Sequence, residues 1–221
     1  MPSPTSSPPP TSFPNLVILG ASGGIGRHLV EQSLARGHTV TAVVRDPERL
    51  PVRHSRLSVV VADVTEPEEL TPLIVGADAV FSALGPRPGE PAAQITADGV
   101  AAALIAMKAG GVRRILAVSA VPIGPPHGFV GRRLTFPMLW RFFGDGYRGL
   151  VRMEELLAAS GTDWTVVRPP RLTDKAPAGA YRLGWEKALP WMTSLSRADV
   201  AGALLDLLDE PTSFGRGAAV G

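Results

Sequence analysis

The chain has 221 residues, of which 45% are apolar and 19% charged, and its formal net charge is +2 at pH 7. These values predict one globular domain with a full-sized core rather than a disordered chain. The lack of cysteine excludes disulfides, thiolate catalysis and cysteine-ligated zinc, and the small charge without a long basic run gives no sign of nucleic-acid binding.

The first 14 residues are rich in proline and serine and predict a flexible tail. They contain neither the basic nor the apolar region of a secretory signal, and no uninterrupted apolar stretch of the sequence is long enough to span a bilayer. We therefore expect a fold over residues 15–221, a cytoplasmic protein and no membrane partner.

Short apolar runs rich in β-branched residues predict strands that are covered on both faces. Helical patterns lie between these runs, and the alternation predicts right-handed crossovers and a doubly wound parallel α/β sheet in a single domain. The predicted strands are Leu16–Leu19, Thr39–Val44, Leu57–Ala62, Ala79–Ala83, Arg114–Val118 and Trp164–Val167. The predicted helices are Ile25–Leu34, Pro67–Ile74, Ala92–Ala109, Leu150–Ala159 and a packing helix capped by Ser196 and Asp199.

Residues 120–147 interrupt this alternation. They contain PIGPPHG and then RRLTFPMLWRFFGDGY, in which a short helix, apolar on all sides, is predicted from Pro137 to Gly144. The segment follows the fifth strand at the carboxyl edge of the sheet, where ligands bind in open α/β sheets. We interpret it as a lid-like insertion on the substrate side, with a partner surface or a membrane-touching element as alternatives.

Glycines at positions 20, 23 and 26 stand where the first strand ends and the first helix begins. The first glycine of such a motif permits a tight turn, the second lets a pyrophosphate approach the backbone, and the third lets the helix pack close to the strand. The free N–H groups at the helix start would face the phosphates. The motif therefore predicts a Rossmann-like dinucleotide-binding site.

Arg45 ends the second predicted strand. A carboxylate at this point would bind the ribose of NAD, whereas a cation can hold the 2′-phosphate of NADP. Asp46 is followed by Pro47 and indicates a turn. We expect NADP (NADPH) as the cofactor, with a solvated surface arginine as the alternative interpretation of Arg45.

Several segments resemble one family, the atypical short-chain dehydrogenase/reductases, and within it the NAD(P)H-binding proteins related to NmrA and biliverdin reductase B. These segments are GASGGIG, VVRDPERL, VVVADVTEPEEL, DAVFSALG, RILAVSA, SGTDWTVVRPPRLTD and SRADVA. The resemblance extends from Leu16 to the C-terminus. It implies the Rossmann fold and a nicotinamide cofactor. Members of the family include flavin reductases, other reductases and nonenzymatic redox sensors.

The resemblance also implies which residues contact the cofactor. Gly20, Ser22, Gly23, Gly24, Ile25 and Gly26 would surround the pyrophosphate, and Arg45 would bind the 2′-phosphate. Asp63 and Val64 would flank the adenine, and Ala83, Leu84 and Gly85 would border the cofactor's ribose. Ser119, Arg168, Pro169 and Pro170 would lie on the nicotinamide side.

The source of a proton is less clearly indicated. Typical short-chain enzymes use a Tyr-x-x-x-Lys pair, and Tyr147 is near the expected position, but Val151 stands four residues later. Arginine cannot act as an acid at neutral pH. Ser119, Tyr147 or solvent is the expected donor, with His127 as a further candidate and structural roles for Ser119 and Tyr147 as alternatives. The four histidines show no metal-ligand spacing.

These observations predict an NADP-dependent oxidoreductase, a reductase that transfers hydride between NADPH and a flat apolar or aromatic substrate. A flavin, a quinone or a polyketide-like ketone would fit this description. The alternatives are an NmrA-like NADP(H)-sensing module without turnover and an epimerase or dehydratase with bound NADP. We expect a small-molecule substrate, no metal, no nucleic acid, and a monomer or homodimer.

Overall fold

Ten strands and five α-helices are present in the part of the chain that the computed structural model describes, which is residues 14–85, 92–123, 136–185 and 194–221. The strands are β1 (Asn15–Leu19), β2 (Thr39–Val44), β3 (Leu57–Val61), β4 (Ala79–Ser82), β5 (Arg114–Val118), β6 (Asp163–Arg168), β7 (Arg171–Thr173), β8 (Leu183–Gly184), β9 (Ser194–Ser196) and β10 (Arg216–Val220). The helices are α1 (Gly24–Ala35), α2 (Pro67–Ile74), α3 (Ala92–Gly110), α4 (Phe136–Ala159) and α5 (Arg197–Asp206).

The main sheet has eight strands in the order β3-β2-β1-β4-β5-β6-β10-β8, and β7 pairs with β9 in a separate small sheet. The pairings from β3 to β10 are parallel, and β8 is antiparallel to β10. The order β3-β2-β1-β4-β5-β6 is that of the Rossmann fold. The predicted fold class is confirmed.

Helices cover both faces of the sheet. Because successive side chains of a strand point to opposite faces, each strand contributes side chains to the core on both sides. On β1, Leu16 and Ile18 pack with residues of α1 and α5 in one core cluster. Val17 and Leu19 pack with residues of α2, α3 and α4 in the other cluster. The strands are thus buried on both sides, as their apolar sequences predict.

The bounds of the central elements agree closely with the sequence. The predictions for Thr39–Val44, Arg114–Val118 and Pro67–Ile74 are confirmed without change, and the other central strands shift by a residue at one or both ends. The four strands β7 to β10 lack a sequence signal. The strand β10 has the sequence RGAAV, which is poor in β-branched residues, and it forms because it pairs with β6.

The predicted helix end at Gly144 is wrong. The helix α4 continues through Gly144 to Ala159, so the predicted short helix and the predicted helix from Leu150 are one element. A glycine ends a helix when it adopts a left-handed conformation, and Gly144 does not have a positive φ. Inside a helix its cost of about 1 kcal/mol relative to alanine is tolerated.

Other predictions lie outside the described residues. These are the tail over residues 1–13 and residues 124–135, which include His127 and the rest of the PIGPPHG segment after Ile123. None of the helices in the described ranges is both long and apolar enough to cross a membrane.

The start of α5 is fixed by a network around Asp199. The Ser196 hydroxyl accepts a hydrogen bond from the Asp199 N–H at 3.0 Å, as the predicted cap requires. The Asp199 carboxylate also accepts bonds from the hydroxyl of Ser196 and from the N–H groups of Ala178 and Gly179. Burial alone would raise the pKa of Asp199, but these hydrogen bonds outweigh it and lower the pKa. The network fixes the position of Arg197, which lies between Ser196 and Asp199.

Candidate functional site

A cavity of about 390 Å³ opens at the carboxyl ends of β1, β2, β4 and β5, the edge of the sheet where open α/β folds bind ligands. Most of the predicted cofactor residues line it. These are Gly20, Ser22, Gly23, Gly24, Ile25, Arg45, Val64, Ala83, Leu84, Gly85 and Ser119. The strand order β2-β1-β4-β5 separates Arg45, which follows β2, from Ser119, which follows β5, and puts the glycine loop between them.

The turn after β1 requires glycine at position 20. Gly20 has a φ of +76°, and a Cβ atom there would lie 2.7 Å from the carbonyl oxygen of Ala83. A side chain would therefore be strained and would collide with the backbone that follows β4. Gly20 brings the two loops of the cavity into contact.

The start of α1 offers an anion site. Its N-cap is Gly23, which supplies no side-chain hydrogen bond, and the first turn has no acidic residue. Both Gly23 and Gly24 are exposed and line the cavity. The N–H groups at a helix start need acceptors, and the helix dipole favours a negative charge there. A pyrophosphate fits these residues.

Gly26 has a packing role. It is buried, and a Cβ atom there would collide with the carbonyl oxygen of Gly20 and approach Cα of Ala21 to 2.8 Å. Because Gly26 has no Cβ atom, α1 can pack against the turn, as the motif predicts for the third glycine. The cavity lining in the described part of the chain does not include Gly26.

Two arginines lie at the β2 side of the cavity. Arg45 and Arg49 are both exposed and line it. Between them the Asp46 carboxylate accepts a hydrogen bond from the Glu48 N–H at 3.0 Å, at the start of a short 3₁₀ helix. The predicted turn at Asp46 is thus confirmed. In this turn, one oxygen of the carboxylate nearest to Arg45 in the sequence accepts a backbone hydrogen bond.

Asp63 also uses its carboxylate locally. It accepts hydrogen bonds from the N–H and the hydroxyl of Thr65 at 2.9 and 2.7 Å. These bonds, with a smaller attraction from Arg45, hold the pKa of Asp63 below its usual value. Val64, the other predicted adenine neighbour, is buried and lines the cavity, whereas Asp63 is not among the lining residues that the structure describes.

Two buried hydroxyls line the cavity, one after β5 and one on α3. Ser119 is 5% exposed and Thr96 is 1% exposed, and neither hydroxyl has a hydrogen-bond partner within the described residues. Buried polar groups are almost always hydrogen-bonded, and a ligand in the cavity would supply such bonds. Apolar side chains also line the cavity, namely Leu84, Ile95, Val118, Leu150 and Leu172.

The structure puts the other predicted residues elsewhere. The Arg168 guanidinium is bound to Glu154 through Nε and Nη2, at 3.0 and 2.6 Å. Neither Arg168 nor the two prolines after it belong to the cavity lining of the described residues. The Arg168 side chain thus contacts Glu154, and the position of this loop on the nicotinamide side stays a prediction.

Tyr147 is one helical turn before Leu150, the residue of α4 that lines the cavity. The two residues share a helix face because they are three positions apart. Tyr147 itself is partly exposed and is not among the lining residues in the described ranges. Burial raises the pKa of its hydroxyl, which keeps the phenol protonated near neutral pH.

Sequence reasoning did not single out two polar residues of the cavity, Thr96 and Arg197. Thr96 lies in the alanine-rich α3, and no sequence motif identifies its hydroxyl as part of a site. Arg197 belongs to the SRADVA segment, whose pattern indicates only a helix start. Within the described residues no cluster of histidine and carboxylate side chains could hold a metal ion.

Comparisons with known proteins agree with this site. The family model described as NAD(P)H-binding matches residues 20–211. An uncharacterised chloroplast protein of Arabidopsis thaliana is 31% identical over 89% of this chain and 73% of its own length. A reductase of Streptomyces griseus that acts on a (4-alkanoyl-5-oxo-2,5-dihydrofuran-3-yl)methyl phosphate is 28% identical over 86% of this chain and 55% of its own length.

Solved structures show the same fold. A putative epimerase of Bacteroides thetaiotaomicron has a TM-score of 0.81 and 27% identity, with 95% of this chain and 97% of that chain covered. A short-chain dehydrogenase/reductase of Veillonella parvula, solved with NADP, has a TM-score of 0.76 and 23% identity, with 95% of each chain covered. The chain belongs to the NAD(P)H-binding family, with the Rossmann fold of the atypical short-chain dehydrogenase/reductases.

Proposed function

We propose that this chain is an NADP-dependent reductase that transfers hydride between NADPH and a flat apolar or aromatic substrate, such as a flavin, a quinone or a polyketide-like ketone. The observation that carries the proposal is one cavity with three parts. It has two arginines after β2, a glycine loop after β1, and apolar side chains with two buried hydroxyls, Ser119 and Thr96, which have no hydrogen-bond partner among the described residues.

The preference for NADP over NAD rests on charge. Arg45 and Arg49 are the cavity residues that follow β2, where a dinucleotide's adenine ribose binds in this fold. A carboxylate would bind the 2′-hydroxyl of NAD, but Asp46 is not among the cavity-lining residues that the structure describes. Two guanidinium groups favour a 2′-phosphate, because charge-assisted and bidentate bonds to phosphate are strong.

The β5 side of the cavity suits the reacting groups. When bound, a nicotinamide cofactor supplies the hydride, and the protein must orient it and exclude water. Val118, Leu150 and Leu172 provide an apolar surface for a flat substrate. The hydroxyls of Ser119 and Thr96 donate hydrogen bonds to the nicotinamide or to a substrate oxygen. A quinone-like or flavin-like acceptor requires little further acid catalysis, which suits a site without the usual Tyr-x-x-x-Lys pair.

The relatives support a reductase, since one of them is a named reductase that aligns with most of this chain. A second candidate is an NADP(H)-sensing protein without turnover. The observation in its favour is that Val151 stands where the usual lysine of the catalytic pair would be. The cytoplasmic location and the monomeric or homodimeric state remain predictions.

Turnover separates the two candidates. We would incubate the full chain with NADPH and a panel of flavins, quinones and aromatic ketones and follow the loss of nicotinamide absorbance. A Gly20→Val variant is the control, because it distorts the loop on which cofactor binding depends. A reductase gives oxidation that depends on both the acceptor and the wild-type loop. Measurable NADPH binding with no turnover on any acceptor would overturn the reductase and favour the sensor.

A further inference from the structure

Arg197 lies across the start of α1. A Cβ atom added to Gly24 would be 2.5 Å from Cδ and 2.7 Å from Nε of Arg197. The arginine stem is thus in direct contact with the Gly24 backbone, and the residue also lines the cavity. The start of α1 and the start of α5 therefore meet at one point, with a guanidinium beside them.

The position of Arg197 is unfavourable for its own helix. It is the first residue of α5, and the helix dipole opposes a cation at this end. Its ion pair is with Asp174, at 2.6 Å, but the Asp174 side chain is 84% exposed. Ion pairs that are open to water contribute little to stability. A negatively charged ligand held against both helix starts would account for an arginine at this place.

Resting on the proposed function, we infer that Arg197 is a pyrophosphate-binding residue and that Asp174 neutralises it when no nucleotide is bound. A pyrophosphate carries two negative charges and exchanges for the single charge of Asp174. Arg197 therefore acts on the part that NADP and NAD share. Arg45 acts on the 2′-phosphate, which NADP alone carries.

This division of roles gives a distinct binding pattern. We would titrate NADPH, NADH, ADP-ribose and 2′-AMP into the full chain by calorimetry. Arg197→Ala should weaken NADPH, NADH and ADP-ribose alike, by about 10- to 100-fold, the effect of losing a hydrogen bond to a charged group. It should leave 2′-AMP unchanged, because 2′-AMP has no pyrophosphate.

Asp174→Asn tests the competing carboxylate. Removal of its charge should strengthen the three pyrophosphate compounds by about two- to five-fold, the range expected for an exposed ion pair. Arg197→Lys keeps the charge but loses the bidentate geometry, so it should give an intermediate loss. These two variants keep the test informative if Arg197→Ala does not fold.

A matched control is an ion pair between the end of α1 and the end of α5. Arg36, the C-cap of α1, pairs with Asp206 of α5 at 2.7 Å, and neither belongs to the cavity lining of the described residues. Arg36→Ala should leave all four affinities unchanged.

Packing alone is the competing explanation for Arg197. If Arg197→Ala unfolds at a lower temperature yet binds NADPH and ADP-ribose with wild-type affinity, the residue only supports Gly24 and the inference is overturned. A loss of NADPH affinity without a loss of NADH affinity would also overturn it. Both results leave the proposed function intact. A wild-type chain that binds none of the four compounds overturns the proposed function and this inference together.

Discussion

Arg168 of β6 and Glu154 of α4 form a two-bond ion pair, with Nε–Oε1 and Nη2–Oε2 distances of 3.0 and 2.6 Å. Each side chain is only 15% exposed. The guanidinium also lies against Gly217 of β10, where a Cβ atom would be 2.5 Å from Nη2. The pair therefore ties a helix to two neighbouring strands. The Arg168 side chain therefore makes structural contacts, and it is not among the cavity-lining residues that the structure describes.

Glu154→Ala should lower the free energy of unfolding by about 3 kcal/mol, because it leaves a mostly buried guanidinium without its counter-charge. Arg152→Ala on the same helix is the control. It removes an exposed pair with Glu155, at 3.3 Å, and should cost less than about 1 kcal/mol. Urea denaturation measures both changes. Equal losses for the two variants, or a large loss of NADPH affinity in folded Glu154→Ala, would contradict a structural role.

Two glycines of the loop allow the effects on NADPH binding and on stability to be measured separately. Gly23 has a φ of −76°, which suits any residue, and a Cβ atom there would be 3.1 Å from the Gly20 carbonyl oxygen, a tight contact that a shift of a few tenths of an ångström relieves. Gly23→Ala should therefore keep the fold but lower NADPH affinity by about 10-fold or more, because its methyl group takes the space of a charge-assisted phosphate contact.

Gly26→Ala is the opposite case. Its methyl group would collide with the backbone of Gly20, so it should lower the free energy of unfolding by about 1–3 kcal/mol, as overpacking does. Thermal unfolding and calorimetry on both variants test the separation. Our assignment of the loop is wrong if Gly23→Ala binds NADPH as well as the wild type does.

The hydroxyls of Ser119 and Thr96 should matter for ligands and not for stability. Neither has a hydrogen-bond partner in the described residues, so Ser119→Ala and Thr96→Val remove no hydrogen bond within that part of the chain. We expect a change in the free energy of unfolding below about 1 kcal/mol, the net value of a typical hydrogen bond. Turnover with the best acceptor should fall by about 10²-fold or more if either hydroxyl donates the proton.

Two further variants of buried hydroxyl residues, Ser82→Ala and Thr165→Val, serve as controls. The hydroxyl of Ser82 is also buried without a partner but is not among the lining residues of the described chain, so Ser82→Ala should change neither stability nor turnover. Thr165 is buried and hydrogen-bonded to Arg114 and Ser213, so Thr165→Val should lower the free energy of unfolding by about 1–3 kcal/mol. If Ser119→Ala and Thr96→Val both keep full turnover, neither hydroxyl is the proton donor.

The sequence predicted the parts of this structure that depend on local patterns. The strands at the sheet centre follow from apolar runs, and the roles of Gly20 and Gly26 follow from their place between a strand and a helix. The residues that it missed or misjudged depend on distant contacts. Arg197 is more than 170 positions from Gly24 in the sequence, and Arg168 is occupied by Glu154 of another element. Neither contact produces a periodic pattern in the sequence.

Arg45 is the residue on which the choice of cofactor depends. If it binds the 2′-phosphate, Arg45→Ala should weaken NADPH binding by about 1.5–3 kcal/mol, the range for hydrogen bonds to charged groups. NADH affinity should barely change, because NADH lacks this phosphate. Higher salt should reduce the wild-type preference for NADPH, since exposed charges are screened.

Arg49 lines the same side of the cavity and would compensate for the loss of Arg45, so the double variant belongs in the experiment. Arg53→Ala is the control for net charge, because Arg53 is exposed and is not a lining residue of the described chain.

The most direct test of the account is the ratio of NADPH to NADH affinity, measured by calorimetry on the wild type, the Arg45→Ala/Arg49→Ala variant and the Arg53→Ala control. We expect that the wild type prefers NADPH and that the double variant loses this preference by about 10-fold or more, while Arg53→Ala keeps it. A double variant with the wild-type ratio would contradict the arginine site and the assignment of NADP with it.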